Sequence, residues 1–170
     1  MILKPTYIFS FLFLILACQE TKQKAEIHNS TLPQKKNLIV EQVSEDSLRI
    51  TGESIRTDHI AVEGSIYEFQ FSPDSQFIAI NSRVLSQLDV ALAYPIDKYT
   101  GRINHSALNL SRLCWDSLSK REGFDPKQLQ NPRSRLVGWD QKTNLAKISV
   151  SGIIKGGKEI KDTLLINLSR

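Results

Sequence analysis

The sequence predicts a mainly β domain, an antiparallel meander or small sandwich with one inserted amphipathic helix. Three observations lead there. β-branched and aromatic residues recur at alternating positions, as in Tyr67, Phe69 and Phe71, which is the period of a half-buried strand. Turn-forming clusters such as Ser72-Pro73-Asp74-Ser75 and Gly156-Gly157 punctuate these runs. One stretch, near 106–121, changes to apolar spacings of three and four, the period of a helix. The 170 residues, 41% hydrophobic and 24% charged, fit one ordinary domain with a tail. They exclude a multidomain enzyme, a collagenous fibre and a wholly disordered chain. Lys and Arg number 22 against 18 Asp and Glu, a formal +4. That excess is too small and too dispersed to indicate a nucleic-acid partner.

The N-terminus comes first in order. One cation, Lys4, precedes Ile8–Ala17, ten residues of almost unbroken apolar character. A helix of that length covers roughly half of a ~30 Å hydrocarbon layer. It is the core of an export signal and takes no part in the fold. Ile15-Leu16-Ala17-Cys18 resembles the lipobox of bacterial lipoprotein precursors: an aliphatic residue, a tolerant position, a small residue, then cysteine. The resemblance implies a signal peptide at 1–17, cleavage before Cys18, and lipid attached to the Cys18 thiol. An ordinary secretory signal ending near a cysteine is the alternative. Each buried methylene contributes about 0.8 kcal/mol, so several acyl chains hold a protein firmly where one does not. Gln19 is no inner-membrane retention signal of the enterobacterial type, which by analogy favours the outer membrane. The domain would then be periplasmic or surface-exposed.

Residues 18–37 are read as the lipidated cysteine and a flexible tether. Among Gln19–Asn37 only Ala25, Ile27 and Leu32 are apolar, without period. Such a segment cannot bury enough surface to offset its chain entropy. Flexible-chain statistics give it a root-mean-square span of roughly 25 Å, which keeps the domain near the bilayer.

The single mainly β domain is placed at 38–170. Strands are expected at about 38–44, 47–52, 59–63, 66–72, 77–83, 88–94, 134–139, 145–154 and 159–168. In Ser72-Pro73-Asp74-Ser75 the proline presets φ and Asp74 can bond nearby backbone. Gly156-Gly157 marks a hairpin, because paired glycines accept the positive φ of a tight primed turn. The helix, near 106–121, places Ala107, Leu110, Cys114 and Leu118 on one face. Lys120 and Arg121 suit its last turn, and Gly123 its stop. Cys114 lies within the apolar stripe and reads as a buried structural thiol. Asp125-Pro126 offers a cap and first position for one further turn, closed before Pro132.

Phe71-Ser72-Pro73-Asp74-Ser75-Gln76-Phe77-Ile78-Ala79-Ile80, then Asp89–Tyr94, then Asp97-Lys98-Tyr99-Thr100-Gly101 together resemble a β-propeller blade of the TolB or WD-repeat kind. The resemblance covers Tyr67 to Ile103. It implies a first hairpin at the Ser-Pro-Asp turn, a third strand at 89–94, and an Asp-x-x-Thr-Gly turn leading to a fourth. Ser75 stands where that family usually has glycine. A fainter copy at Trp139–Ala146 aligns about 67 positions later only with a one-residue slip. A plain antiparallel meander with a Ser-Pro-Asp turn carries the same pattern. Four blades of about 40 residues would consume the whole mature chain, so a full propeller is excluded. Partial propeller-like sheets would expose edges, and edges recruit partners or need protection.

No catalytic constellation stands out: no Gly-x-Ser-x-Gly elbow, no His-Glu-x-x-His, no Cys-x-x-Cys and no phosphate-cradling glycine loop. No cofactor or metal is implied. His28 lies in the tether, His59 beside Asp58, and His105 just before the helix. Asp74, Asp97, Asp116 and Asp140 lack the spacing of a calcium loop. Trp115, at the edge of the helix stripe, either caps the core or stands out as a partner contact. Lys155, Lys158 and Lys161 flank the glycine hairpin; they read as a solvated edge and secondarily as an anionic docking patch. The expected function is a membrane-anchored bacterial lipoprotein, non-catalytic, binding an envelope protein partner. The alternative is a small envelope hydrolase whose His105, Asp58 and a serine meet only in the fold.

Overall fold

The computed structural model describes residues 38–52 and 55–168. The expected signal peptide at 1–17, Cys18 and the expected tether to residue 37 therefore lie outside the described residues. Within them the expected class is found: mainly β, with one inserted helix. The strands are β1 (Leu38–Ser44), β2 (Ser47–Gly52), β3 (Ile55–Ala61), β4 (Ser65–Phe71), β5 (Phe77–Leu85), β6 (Leu88–Pro95), β7 (Leu108–Asn109), β8 (Leu129–Trp139), β9 (Ala146–Ile154) and β10 (Glu159–Ile166). Helix α1 spans Leu110–Glu122, and a single 3-10 turn spans Pro126–Gln128.

Three antiparallel meanders follow one another. β1-β2-β3 form a sheet of their own. β4-β5-β6 and β8-β9-β10 share a second sheet in the order β10-β9-β8-β6-β5-β4, with β7 beside β6. The two halves of that sheet meet in parallel at a single pair, Asp89 with Arg133. A parallel junction needs a crossover, and α1 supplies it.

β5 shows why the layers stack. Its alternation sends Ile78 and Ile80 to one face and Phe77 and Ala79 to the other. Ile78 and Ile80 pack with Leu48, Ile50 and Ile60 of the first sheet. Phe77 and Ala79 join Leu110, Cys114, Trp115 and Leu118 of α1 and Leu136, Ile148 and Val150 of the last meander. A strand buried on both faces has to be apolar throughout, and Phe77–Ile80 is. Gly64 makes the entry to β4 possible. At φ +83 its Cα lies so near β5 that an added Cβ would fall 2.2 Å from the Arg83 carbonyl oxygen.

The helix begins later than expected. Asn109, not a residue near 106, is its cap, accepting from the Arg112 N–H at 2.8 Å. Leu108 and Asn109 pair with Ala93 and Leu92 of β6 instead. Ala107 therefore belongs to no helical stripe and packs against the core under the first sheet. Ser111, buried, ties α1 to β6, its Oγ accepting from the Ala91 N–H at 2.8 Å. The stop at Gly123 holds, with its N–H bonded to the Ser119 carbonyl. β8 begins five residues earlier than the expected 134. Asn131, at φ 52, sits in a bulge between Gln130 and Arg133, and a bulge is where a strand accepts proline. The glycine hairpin is present, with φ 110 and 90 at Gly156 and Gly157. Its loop is three residues long, since Ile154 N–H reaches the Lys158 carbonyl at 2.8 Å, so the two-residue primed turn is not formed.

The turns expected at Ser72–Ser75 and Asp97–Gly101 are both formed. Ser72 Oγ bonds Asp74 Oδ1 at 2.7 Å, and the Gln76 N–H donates to the same oxygen at 3.0 Å. Asp97 Oδ1 accepts from the N–H groups of Tyr99 and Thr100 at 3.0 and 2.7 Å. The strand expected after it shrinks to one bridge, Ile96 with Ile103, before the chain leaves for β7 and α1. The β8–β9 turn repeats the second of these motifs, not the first. Asp140 Oδ1 accepts from Lys142 and Thr143 N–H groups at 3.0 and 2.9 Å. The one-residue slip has its cause there: Asp140-x-x-Thr143 matches Asp97-x-x-Thr100, 43 positions earlier.

Candidate functional site

Two of the groups considered for hydrolysis do meet. His105 Nε2 lies 3.1 Å from Asp58 Oδ1, joining the loop before β7 to β3. The imidazole is more than half exposed. A cleft of about 530 Å³ opens nearby, walled by Gln76, Phe77, Pro95, Asn104, Ser106 and Leu168. Neither His105 nor Asp58 lines it. His59 is exposed, and its backbone N–H donates to Asp58 Oδ1. Among the described residues no group of three or more His, Cys, Asp or Glu is placed to hold a metal ion.

Trp115 is buried, 7% exposed, within the core that α1 shares with β9. An added Cβ on Gly152 would lie 3.3 Å from its ring. It therefore caps the core, and its role as an exposed contact has no surface to act through. Lys155 and Lys158, in the β9–β10 hairpin, and Lys161, on β10, are exposed, and β10 is the edge strand of the larger sheet. Lys158 Nζ stands 3.8 Å from Glu122 Oε2 at the end of α1. Arg121 bridges Glu122 and Asp162 there, closing a charged seam between helix and edge.

A different cluster lies where the two halves of the sheet meet. Asn81 of β5, 1% exposed, turns its amide toward β8 as another strand would. Its Oδ1 accepts from the Leu136 N–H at 2.8 Å, and its Nδ2 donates to the Leu136 carbonyl at 2.9 Å. The same Nδ2 reaches Glu68 Oε2 at 2.9 Å. That carboxylate also receives Arg135 at 3.1 Å. The Tyr67 ring, 41% exposed, has the Arg83 guanidinium 5.6 Å and the Arg135 guanidinium 6.0 Å from its centroid. Arg83 is held by Asp89 at 2.8 Å. Burial pushes the Tyr67 phenol up, with the Asp89 charge adding to it and the two arginines opposing. Chemically this surface is aromatic and charge-balanced, since Glu68 and Asp89 each hold one of the two guanidinium groups over the Tyr67 ring.

Sequence reasoning missed this cluster. Alternation along β8, with Ser134 and Leu136 buried and Arg133, Arg135 and Val137 exposed, is a usable signal for Arg135, while Arg83 lies on β5. Nothing local links Tyr67 to them. A comparison with protein-family models, with curated proteins and with solved structures finds no match to this chain.

Proposed function

We propose that this chain is a membrane-anchored bacterial lipoprotein, whose exported β domain is a non-catalytic binding or accessory protein of the cell envelope. The observation that carries the reading is the lipobox-like Ile15-Leu16-Ala17-Cys18 followed by nineteen polar-rich residues, with β1 beginning at Leu38. A sequence-expected tether thus ends where the first strand starts. The exposed Tyr67, Arg83 and Arg135 cluster and the lysine-flanked β10 edge supply surfaces for a partner. Metabolic labelling with an alkyne palmitate tests the anchor: label enters the membrane fraction and is lost in Cys18→Ser. Thiol counting in denaturant gives a second measure. With Cys18 acylated only Cys114 titrates; two thiols would refute the anchor. Crosslinking in intact cells tests the partner. One stoichiometric envelope protein, lost when Lys155, Lys158 and Lys161 are changed together, supports an accessory role. Recovery of the bait alone counts against it.

The second reading, a small envelope hydrolase, draws on the pair His105 and Asp58. A carboxylate beside an imidazole can orient it as a general base. Ester or amide turnover by the purified protein, abolished in His105→Ala with folding intact, would establish it. Loss of no activity in that variant removes the pair from any catalysis.

A further inference from the structure

We propose that the solvent-facing side of the β8-β9-β10 meander docks on an anionic phospholipid surface. α1 packs on one face of this meander through Cys114, Trp115 and Leu118, so alternate strand positions must point away from it. Those positions carry four cations: Arg133 and Arg135 on β8, Lys147 on β9 and Lys161 on β10. The register sets Arg133 against Ser151 and Ser151 against Lys161, and it sets Arg135 against Ser149. The cations therefore spread across all three strands and do not line one edge.

Of the acids near them, Asp89 of β6 is the register partner of Arg133 and is taken up by Arg83 at 2.8 Å. Glu159 shares the outer side of β10, opposite Ile153 at the hairpin end. Glu68 reaches in from β4 and is taken up by Arg135. Asp140, in the β8–β9 turn, lies within electrostatic reach of Lys147. Asp162 turns to the helix side and binds Arg121. Among the described residues no ion pair engages Arg133, Lys147 or Lys161, although Arg133 donates to the Ser86 carbonyl at 3.5 Å.

Apolar groups interleave with this charge. Val137, Ile153 and Leu165 are 49%, 37% and 54% exposed, one on each strand. Cations for headgroups beside aliphatic side chains for the acyl boundary are what an interfacial surface combines. A protein partner would ask for acids to match in register; a leaflet offers anionic charge in every direction. The Cys18 anchor of the proposed function brings the domain to a bilayer, and the inference rests on that reading to this extent. Nineteen intervening residues reach at most about 70 Å, so the anchor leaves the domain free to choose its face.

The test uses the full acylated protein, purified and reconstituted. An environment-sensitive fluorophore is placed at Thr163→Cys on this face, or at Leu113→Cys on the exposed side of α1. The vesicles are phosphatidylcholine alone or with phosphatidylglycerol. Flotation reads anchorage, and the emission shift reads docking. The expected result is flotation with both vesicles, but a blue shift only at Thr163 and only with phosphatidylglycerol. Half-molar salt should reverse it. In Lys147→Gln with Lys161→Gln the ratio of docked to free domain should fall about 25-fold, about fivefold for each lysine. Flotation without a Thr163 shift overturns docking and spares the anchor. Flotation with phosphatidylglycerol alone spares docking and removes the anchor, and no flotation removes both. A Thr163 shift given equally by soluble polyglutamate would assign the face to an acidic protein and overturn the lipid proposal.

Discussion

Replacing Asn81 by alanine removes the side chain that bonds β5 to the backbone of β8, and its cost can be worked from the geometry. Two bonds to Leu136, at 2.8 and 2.9 Å, disappear. Leu136 is 1% exposed, so its N–H and carbonyl are left without a partner in a place water does not reach. Each orphaned buried group costs about 1–3 kcal/mol, which gives about 2–6 kcal/mol for the pair. The third bond, to the part-buried carboxylate of Glu68, adds about 1.5–3 kcal/mol on the scale for charged partners. A domain of this size has a total stability of about 5–15 kcal/mol, so a large fraction of it is at stake. Urea unfolding followed by tryptophan fluorescence reads the change, because Trp115 and Trp139 both lie in the core beside Leu136. Asn81→Asp separates the two bonds. Its carboxylate can still accept from the Leu136 N–H, but it meets the Leu136 carbonyl and Glu68 without a proton to donate. It should cost more than alanine at pH 7 and recover part of the loss in mild acid. A loss below about 1 kcal/mol in Asn81→Ala would refute the reasoning, since it would mean that Leu136 finds other partners and that the halves of the sheet hold by apolar packing alone.

Three further expectations follow from single groups. Ser75 adopts φ 56, and a non-glycine residue in that region costs roughly 1 kcal/mol; Ser75→Gly should raise stability by up to about 1 kcal/mol, seen as a higher urea midpoint at unchanged slope. Backbone N–H groups of Thr100 and Thr143 hold Asp97 and Asp140 below the usual carboxylate range, and the Arg121 bond does the same for Asp162. Their stabilisation is complete above the unfolded value near ~3.9 and is lost as pH falls through the lower folded values, so stability should hold from pH 7 to about 5 and decline below about 4, less steeply in Asp97→Asn with Asp140→Asn. Burial pushes the Cys114 thiol up to about 12; it should stay unreactive toward a thiol reagent at pH 8 and react at once when the chain is unfolded, and fast labelling of the native protein would contradict its placement under α1.

What local chemistry dictates is legible in the sequence itself. Alternation places β1 and β2 at their observed bounds, and the Asp-based turns at 74, 97 and 140 make the bonds that their spacing predicts. The departures share one physical cause, which is that a distant strand outbids a local preference. Leu108-Asn109 leaves the helix period because β6 offers it pairing partners. Pro132 enters a strand because β9 can be paired around a bulge. Asn81 is the strongest instance: by composition it is a turn former in the middle of a strand, where an unpaired amide would be costly. It is tolerated because Leu136, 55 positions away, presents a free N–H and a free carbonyl at the spacing of one amide. A residue that breaks its own local rule and is fully paired by a remote backbone marks a junction, and here the junction is where the two meanders become one sheet. The cationic face follows from the same event. Once β8 is fixed against β5, Leu136 must turn inward, and the alternation of the strand leaves Arg133, Arg135 and Val137 no direction but outward.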